Sequence, residues 1–190
     1  ICHFLESYTI KKGKKRWAEK TTHNVTCAET IDKIFDKKVL YVAIIRHGLD
    51  VSYSLSNLTF DKFTVIDKYR YDGADTRLAG VRHWAEMNKK IAQHHENVGK
   101  RLMLIKYEEL TKDPEPILRN LCDFIDEPWD EKMMRYNDEK HDSGWEDPNA
   151  INWNQIKINS ENYKQWPLAI QKSLFNEARN IFEHYGYYEK

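Results

Sequence analysis

The stretch that decides the fold runs from residue 39 to residue 54 and reads Val39-Leu40-Tyr41-Val42-Ala43-Ile44-Ile45-Arg46-His47-Gly48-Leu49-Asp50-Val51-Ser52-Tyr53-Ser54. Its first seven residues are almost continuously apolar, which is typical of a parallel strand that is covered on both faces. Gly48 then supplies a turn, and the apolar residues Val51, Leu55 and Leu58 follow a helical period. A buried strand, a turn and a helix in this order indicate an α/β unit.

Further strands and helices are predicted on both sides of this unit. Short strands are expected over residues 16–20 and 102–105. A helix whose apolar positions Ile31, Ile34 and Phe35 share one face should begin with Asn24 or Thr26 as its cap. The other predicted helices cover residues 2–12, 49–58 and 75–97, one that begins at Asp113-Pro114, and one that runs from Pro167 to Gly186. Residues 137–160 are predicted to form a long loop. The alternation predicts one α/β domain with a parallel sheet, in which ligands bind at the carboxyl ends of the strands.

Composition excludes several classes of protein. The 190 residues carry 30 basic and 30 acidic side chains, so no overall field attracts nucleic acid or a membrane surface. No apolar run approaches the roughly 18–20 residues of a membrane span. The three cysteines are scattered and lack the spacing of metal ligands, so we predict reduced thiols and a cytoplasmic protein. Because the chain opens on Ile1 in what reads as mid-helix, we expect a further N-terminal piece.

Arg46 is the strongest candidate for a functional residue. It ends the buried strand beside a helix N-terminus, where backbone N–H groups and the helix dipole favour an anion. Its planar guanidinium suits a bidentate contact with phosphate. Ser54, one helical turn beyond Asp50, could add a hydroxyl to the same anion. The alternative is an arginine that forms a salt bridge with a neighbouring acid, with Ser54 as an ordinary helix residue.

Several segments resemble motifs of the sulfotransferase family, and they follow one another in the same order as in that family. Residues 46–54 resemble the motif Arg-x-Gly/Pro-x-Asp-x-x-x-Ser, which binds the 3′-phosphate of the donor in that family. Residues 17–21 are similar to the Trp-Gly-Glu-Lys-Thr strand end of the bacterial and tyrosylprotein-type branches. Residues 107–125 are similar to the Tyr-Glu-Asp-Leu…Asp-Pro…Leu-x-x-Phe-Leu segment. Ile156-Lys157-Ile158-Asn159, Trp166 and Tyr185-Gly186-Tyr187 resemble the family's C-terminal loop and ending.

The resemblance implies a three-layer α/β sandwich around a central parallel sheet, the P-loop NTPase-like fold of sulfotransferases. It also implies 3′-phosphoadenosine-5′-phosphosulfate as donor, 3′,5′-adenosine bisphosphate as product, and no metal. Arg46 and Ser54 would bind the 3′-phosphate, and Lys157 and Asn159 would belong to a loop that closes over the nucleotide. Tyr107 would line the nucleotide site, unless it packs beneath the helix that follows.

Lys20 and His23 are the candidate catalytic residues. Lys20 matches the strand-end lysine that faces the transferring sulfuryl group in several branches. Sulfuryl transfer, like phosphoryl transfer, needs cations on the equatorial and bridging oxygens. His23 is the candidate general base, although the cytosolic branch has its histidine one position earlier, where this chain has Thr22. The alternatives are a surface lysine and a capping or solvent-facing histidine.

The family's Gly/Ser/Thr-rich loop for the 5′-phosphosulfate has no counterpart in this sequence, and we expect it upstream of Ile1. Residues 1–190 are therefore interpreted as a single, N-terminally truncated sulfotransferase domain. Two alternatives stay open: a non-catalytic nucleotide-binding or assembly module of the same fold, and a kinase-like phosphotransferase. The acceptor, which could be a glycan, a tyrosine or a small-molecule hydroxyl, and the oligomeric state are not specified by these motifs.

Overall fold

The computed structural model describes residues 2–57, 64–138 and 158–189. Two parallel strands lie side by side in the described part of the chain: β1, Tyr41–Ile45, and β2, Leu102–Lys106. Tyr41 pairs with Leu102 and Ile45 with Lys106, so the two strands end at the same edge. The predicted parallel α/β arrangement is confirmed.

Helices make up most of the described residues. They are α1 (Cys2–Lys11), α2 (Asn24–Ile34), α3 (Gly48–Ser56), α4 (Thr76–Val98), α5 (Tyr107–Lys112), α6 (Pro114–Ile125), α7 (Leu168–Glu177) and α8 (Arg179–His184). Short 3-10 turns cover Thr64–Tyr69, Tyr71–Gly73, Gly99–Arg101, Glu131–Asp138 and Asn162–Gln165. The long helix α4 begins where Asp75 accepts hydrogen bonds from the backbone N–H groups of Arg77 and Leu78, at 2.9 and 3.0 Å. This is an ordinary N-cap, and it explains why α4 starts where the sequence predicts.

The main core lies where α3, α4, α7 and α8 meet. Its buried side chains are Leu49, Val81, Trp84, Leu174, Phe175, Ala178 and Phe182. Gly48 allows the closest approach, because a Cβ atom built there would lie 2.6 Å from the Trp84 ring and 2.7 Å from Phe182. The first turn of α3 therefore packs directly on two aromatic rings, and this contact fixes the position of the strand end that precedes it.

Replacing Gly48 with alanine should overpack this contact. The added methyl group meets two buried rings, which have little room to move, so we expect Gly48→Ala to lower the free energy of unfolding by about 1–3 kcal/mol. Urea denaturation followed by tryptophan fluorescence measures the change. An unchanged unfolding midpoint would contradict the close packing of Gly48.

The predicted strand over residues 16–20 is wrong. These residues have no regular secondary structure, and within the described residues β1 pairs only with β2. A strand needs a neighbour for its backbone N–H and C=O groups, and an apolar pattern alone does not supply one. Trp17 instead packs on Phe35 with ring centroids 5.0 Å apart, and Arg16 forms an ion pair with Glu127 at 3.1 Å.

Strand β1 is not covered on both faces by the described residues. Val42 and Ile44 are 42% and 54% exposed, whereas Ile45 is buried. The sequence predicts burial on both faces, but a continuous apolar run does not specify which face of the strand other elements cover.

Two helix boundaries also differ from the prediction. The last helix is interrupted at Ala178, whose φ of −130° separates α7 from α8. His23, rather than Asn24 or Thr26, occupies the N-cap position of α2. The Asn24 side chain donates to the carboxylate of Glu19 instead, and the Thr26 hydroxyl donates to the His23 carbonyl at 2.8 Å.

A polar cluster lies at the edge of the sheet where β1 and β2 begin, opposite the edge where Ile45 and Lys106 end the two strands. Arg101 forms an ion pair with Asp32, and the Tyr41 hydroxyl donates to the same carboxylate at 3.2 Å. The ring of His94 lies edge-on to Tyr41 with centroids 4.5 Å apart. His94 is only 6% exposed, and both of its ring nitrogens are enclosed without a hydrogen-bond partner in the described part of the chain.

His94 should make stability depend on pH. Burial lowers the pKa of His94, and the positive charge of Arg101 lowers it further, although Asp32 and Glu29 act in the opposite direction. Below a pH of about 6.5 the unfolded chain binds the imidazole proton more readily than the folded chain does, so stability falls as pH is lowered. We expect a steeper loss of unfolding free energy between pH 7 and pH 5 for the native chain than for His94→Phe, measured by urea denaturation. Parallel curves for the two proteins would contradict this assignment.

Candidate active site

Arg46 lies at the carboxyl end of β1, where three parts of the chain meet. Its guanidinium carbon lies 4.8 Å from the centroid of the Tyr107 ring, and its Nη2 donates to the carbonyl oxygen of Asn159. Its own carbonyl accepts a hydrogen bond from the indole N–H of Trp84 at 3.0 Å. Its Nε is enclosed and has no hydrogen-bond partner among the described residues. The backbone and side chain of Arg46 are thus fixed, while its Nε–H is left without an acceptor among the described residues.

Asp50, one helical turn after Arg46, holds the chain that carries Asn159. Its carboxylate is 1% exposed and accepts hydrogen bonds from the backbone N–H groups of Glu161 and Asn162, each at 2.8 Å. Burial raises the pKa of Asp50, and the backbone amides of residues 161–163 and the nearby Arg46 charge only partly oppose this effect. A buried carboxylate is tolerated where hydrogen bonds replace its lost water, and two backbone amides do so at Asp50.

Glu108 joins the strand end of β1 to the chain beyond α8. One carboxylate oxygen accepts from the backbone N–H of His47 at 2.8 Å, and the other accepts from the Tyr187 hydroxyl at 2.9 Å. Burial raises the pKa of Tyr187, and the adjacent Glu108 charge raises it further, so the phenol stays a donor. The ammonium group of Lys106 lies 5.0 Å from the Tyr187 ring.

An aromatic stack encloses the turn after β1. The His47 ring lies parallel to Tyr163 with centroids 4.7 Å apart, and its Nδ1 accepts from the Leu49 backbone N–H at 3.3 Å. Phe182 and Tyr187 contact the same imidazole at 5.3 and 4.9 Å. Burial raises the pKa of Tyr163 to about 12. These rings limit the access of water to the turn that presents Arg46.

The structure brings three of the predicted binding residues together, since Arg46 contacts both Tyr107 and Asn159. Ser54 lies on α3 with its side chain exposed, and within the described residues it makes no side-chain hydrogen bond to Arg46. Lys157 lies outside the described residues.

Lys20 and His23 lie apart from this group of contacts. Both are exposed and lie in the connection that precedes α2. The described residues show no hydrogen bond or ring contact between either of them and Arg46. Burial lowers the pKa of His83 on α4, the Lys68 charge lowers it further, and His23 is close enough to make a smaller contribution in the same direction, while Glu86 opposes them. The His83 ring lies edge-on to Tyr69 at 5.4 Å.

Sequence reasoning assigned no role to several residues that shape the site. Asp50 stands at a helical spacing from Arg46, and Glu108 follows a strand end, so both positions carried a local signal. Tyr163 carried none, and Tyr187 entered only as part of the family's C-terminal ending, because each meets its partner across more than 75 residues of chain. The described residues contain no group of three or more His, Cys, Asp or Glu side chains arranged to hold a metal ion. None of the described helices combines the length and apolar character needed to cross a membrane.

A family model described as the sulfotransferase family matches residues 2–131. The chain belongs to the sulfotransferase family. This match includes β1, Arg46, Asp50 and Glu108, and it confirms the family resemblance drawn from the sequence.

Two solved sulfotransferase domains share the fold. The domain of the Synechococcus PCC 7002 olefin synthase superposes with a TM-score of 0.74 at 21% identity, covering 98% of this chain and 64% of its own. The domain of the curacin biosynthetic pathway gives a TM-score of 0.61 at 21% identity, covering 80% of this chain and 54% of its own. The sulfotransferase chain thus spans between half and two thirds of the length of these domains. No curated protein matched it.

The hydrogen bond between Tyr187 and Glu108 should stabilise this sulfotransferase. Tyr187→Phe leaves one oxygen of a partly buried carboxylate without its donor, so we expect a loss of about 1–3 kcal/mol in unfolding free energy. Tyr188→Phe is the matched control, because Tyr188 is 67% exposed; it should change stability by less than about 0.5 kcal/mol. Equal effects of the two changes in urea denaturation would contradict a stabilising role for the buried phenol.

Proposed function

We propose that this sulfotransferase moves a sulfuryl group from 3′-phosphoadenosine-5′-phosphosulfate to an acceptor hydroxyl or amine, and that Arg46 binds the 3′-phosphate of this donor. The observation that carries the proposal is the position of the Arg46 side chain and its hydrogen bonding. Its guanidinium lies at the carboxyl end of β1 on the ring of Tyr107, and its enclosed Nε has no partner among the described residues. A planar cation with an unused, enclosed donor suits a phosphate oxygen.

The other proposed binding residues fit the same ligand to different degrees. Ser54 presents an exposed hydroxyl on α3, the helix that follows Arg46. Asn159 is already in contact with Arg46. Tyr107 supplies a flat ring, and burial raises the pKa of its phenol, which keeps it neutral beside the cation. Lys157 stays part of the proposal on the family resemblance alone.

Lys20 and His23 are proposed to act on the transferring group and on the acceptor. When bound, the donor supplies an activated sulfuryl group, whose bond to the phosphate oxygen breaks as the acceptor oxygen or nitrogen bonds to sulfur. Lys20 would offset negative charge on the sulfuryl oxygens, and His23 would take the proton that the acceptor loses. Their exposure leaves both side chains accessible to an acceptor. A hydroxyl of a glycan, a tyrosine or a small molecule fits this chemistry.

A non-catalytic nucleotide-binding module and a kinase-like phosphotransferase are the competing functions. The module would bind nucleotide without transfer, and the phosphotransferase would require a divalent cation and a nucleoside triphosphate. The proposal also includes a cytoplasmic location, which the free thiols of Cys27 and Cys122 support.

The sharpest test is calorimetric titration with 3′,5′-adenosine bisphosphate and, separately, with AMP, on protein that carries its native N-terminal sequence. A charge-assisted bidentate contact is worth about 2–4 kcal/mol, so the bisphosphate should bind about 30- to 700-fold more tightly than AMP. Arg46→Ala should abolish most of this preference.

Arg119→Ala is the control, because Arg119 lies on α6 and pairs with Glu115. It should leave both affinities unchanged. Equal binding of the bisphosphate and AMP by the native chain, or no binding of either, would overturn the proposed donor site.

A further inference from the structure

Residues 158–166 pack along α3 and the turn before it, through contacts with four residues of the Arg46–Ser54 stretch. Arg46 bonds to the Asn159 carbonyl, and the His47 ring stacks on Tyr163. The other two contacts come from Asp50 to the amides of residues 161 and 162, and from the Tyr53 hydroxyl to Gln165 at 3.2 Å. The residues that face this segment therefore recur at a helical spacing along α3 and the turn before it. We call residues 158–166 the docked segment.

Asp50 makes the strongest of these contacts. Its side chain is almost fully removed from water, and each of its two carboxyl oxygens accepts a backbone N–H, an arrangement that favours the ionised form. Charge-assisted hydrogen bonds of this kind are roughly twice as strong as neutral ones. Glu161, one of the two donors, has a φ of +65°, a conformation that is uncommon outside glycine. This turn aims both N–H groups at the single carboxylate.

The contact at Asp50 is transmitted to Arg46 through Asn162 and Asn159. The backbone N–H of Asn162 binds Asp50, while its side-chain amide donates to the Asn159 side chain at 2.6 Å. The carbonyl of Asn159 in turn accepts from the Arg46 guanidinium. Fixing residue 162 therefore fixes the acceptor that orients the arginine.

We propose that Asp50 is a positioning residue for nucleotide binding: it fastens the docked segment to α3, and the docked segment orients the Arg46 guanidinium for a phosphate. This inference rests on the proposed function, because it concerns the same phosphate site. Docking of the segment and binding of the phosphate then stabilise each other, since each favours the same orientation of Arg46. Such coupling is reciprocal and is typically worth about 5- to 150-fold in affinity.

The test combines two measurements on Asp50→Asn in the full chain. The amide side chain keeps the size of Asp50 but loses its charge and one acceptor, so hydrogen exchange at the amides of residues 160–163 should become faster. The affinity for 3′,5′-adenosine bisphosphate, measured by calorimetry, should fall roughly tenfold, while the affinity for AMP stays unchanged. In the native chain the bisphosphate should slow exchange at the same amides.

Asp75→Asn is the matched control. Asp75 also accepts two backbone amides at the start of a helix, but at the first turn of α4, where it bonds to residues 77 and 78. It should lower stability without changing the preference for the bisphosphate. Because Asp50 is buried and its variant could fail to fold, Asn162→Ala is the second variant. It removes the side-chain bond to Asn159, and we expect it to weaken the bisphosphate preference in the same direction.

The outcomes separate the two proposals. Faster exchange in Asp50→Asn with an unchanged bisphosphate preference would overturn the positioning role and leave the donor site standing. An equal loss of bisphosphate and AMP affinity would also overturn it, since that result indicates general damage. If the native chain does not discriminate between the two nucleotides, the proposed function itself fails, and the positioning role of Asp50 fails with it. Hydrogen exchange at residues 160–163 then measures only whether the docked segment is attached to α3.

Discussion

The buried carboxylate of Asp50 constrains much of the surrounding structure. A charge removed from water is costly unless hydrogen bonds replace its solvent, and the raised pKa of Asp50 shows that burial is only partly compensated. The two backbone amides that bind it belong to residues more than 100 positions later in the chain. The docked segment therefore both covers this carboxylate and supplies the hydrogen bonds that make its burial tolerable.

Trp84 and Gly48 each contribute both to the packing of the core and to the position of Arg46. The Trp84 ring packs on Phe182 with centroids 4.4 Å apart, and the same indole donates its N–H to the carbonyl of Arg46. Gly48 brings the start of α3 onto these rings without a side chain in the way. The strand end that presents Arg46 is thus positioned by the hydrophobic core together with the Trp84 hydrogen bond, whereas its guanidinium contacts Tyr107 and the docked segment.

Local patterns predicted the elements of the fold well and the long-range contacts poorly. The bounds of β1, β2, α3 and α4 follow from apolar runs, helical periods and the cap at Asp75, all of which are local. The strand expected over residues 16–20 failed because pairing depends on a neighbouring strand, which local sequence does not specify. The contacts of Arg46 with Asn159 and of Glu108 with Tyr187 join distant residues. The family resemblance placed Asn159 near the nucleotide, but no spacing in the chain showed which atom of it Arg46 would bind.

The candidate donor site and the candidate catalytic residues belong to different kinds of structure. Arg46 is held by a strand, a core tryptophan and the docked segment, whereas Lys20 and His23 are exposed and belong to an irregular connection before α2. Holding an exposed side chain in one rotamer costs conformational entropy. Side chains on such a connection therefore need contacts with an acceptor, or with further residues of the protein, to keep one geometry. The proposed nucleotide binding and the proposed sulfuryl transfer therefore depend on different parts of the chain. If both proposals hold, a chain that keeps the contacts of Arg46 but lacks Lys20 and His23 should bind the nucleotide without transferring the sulfuryl group.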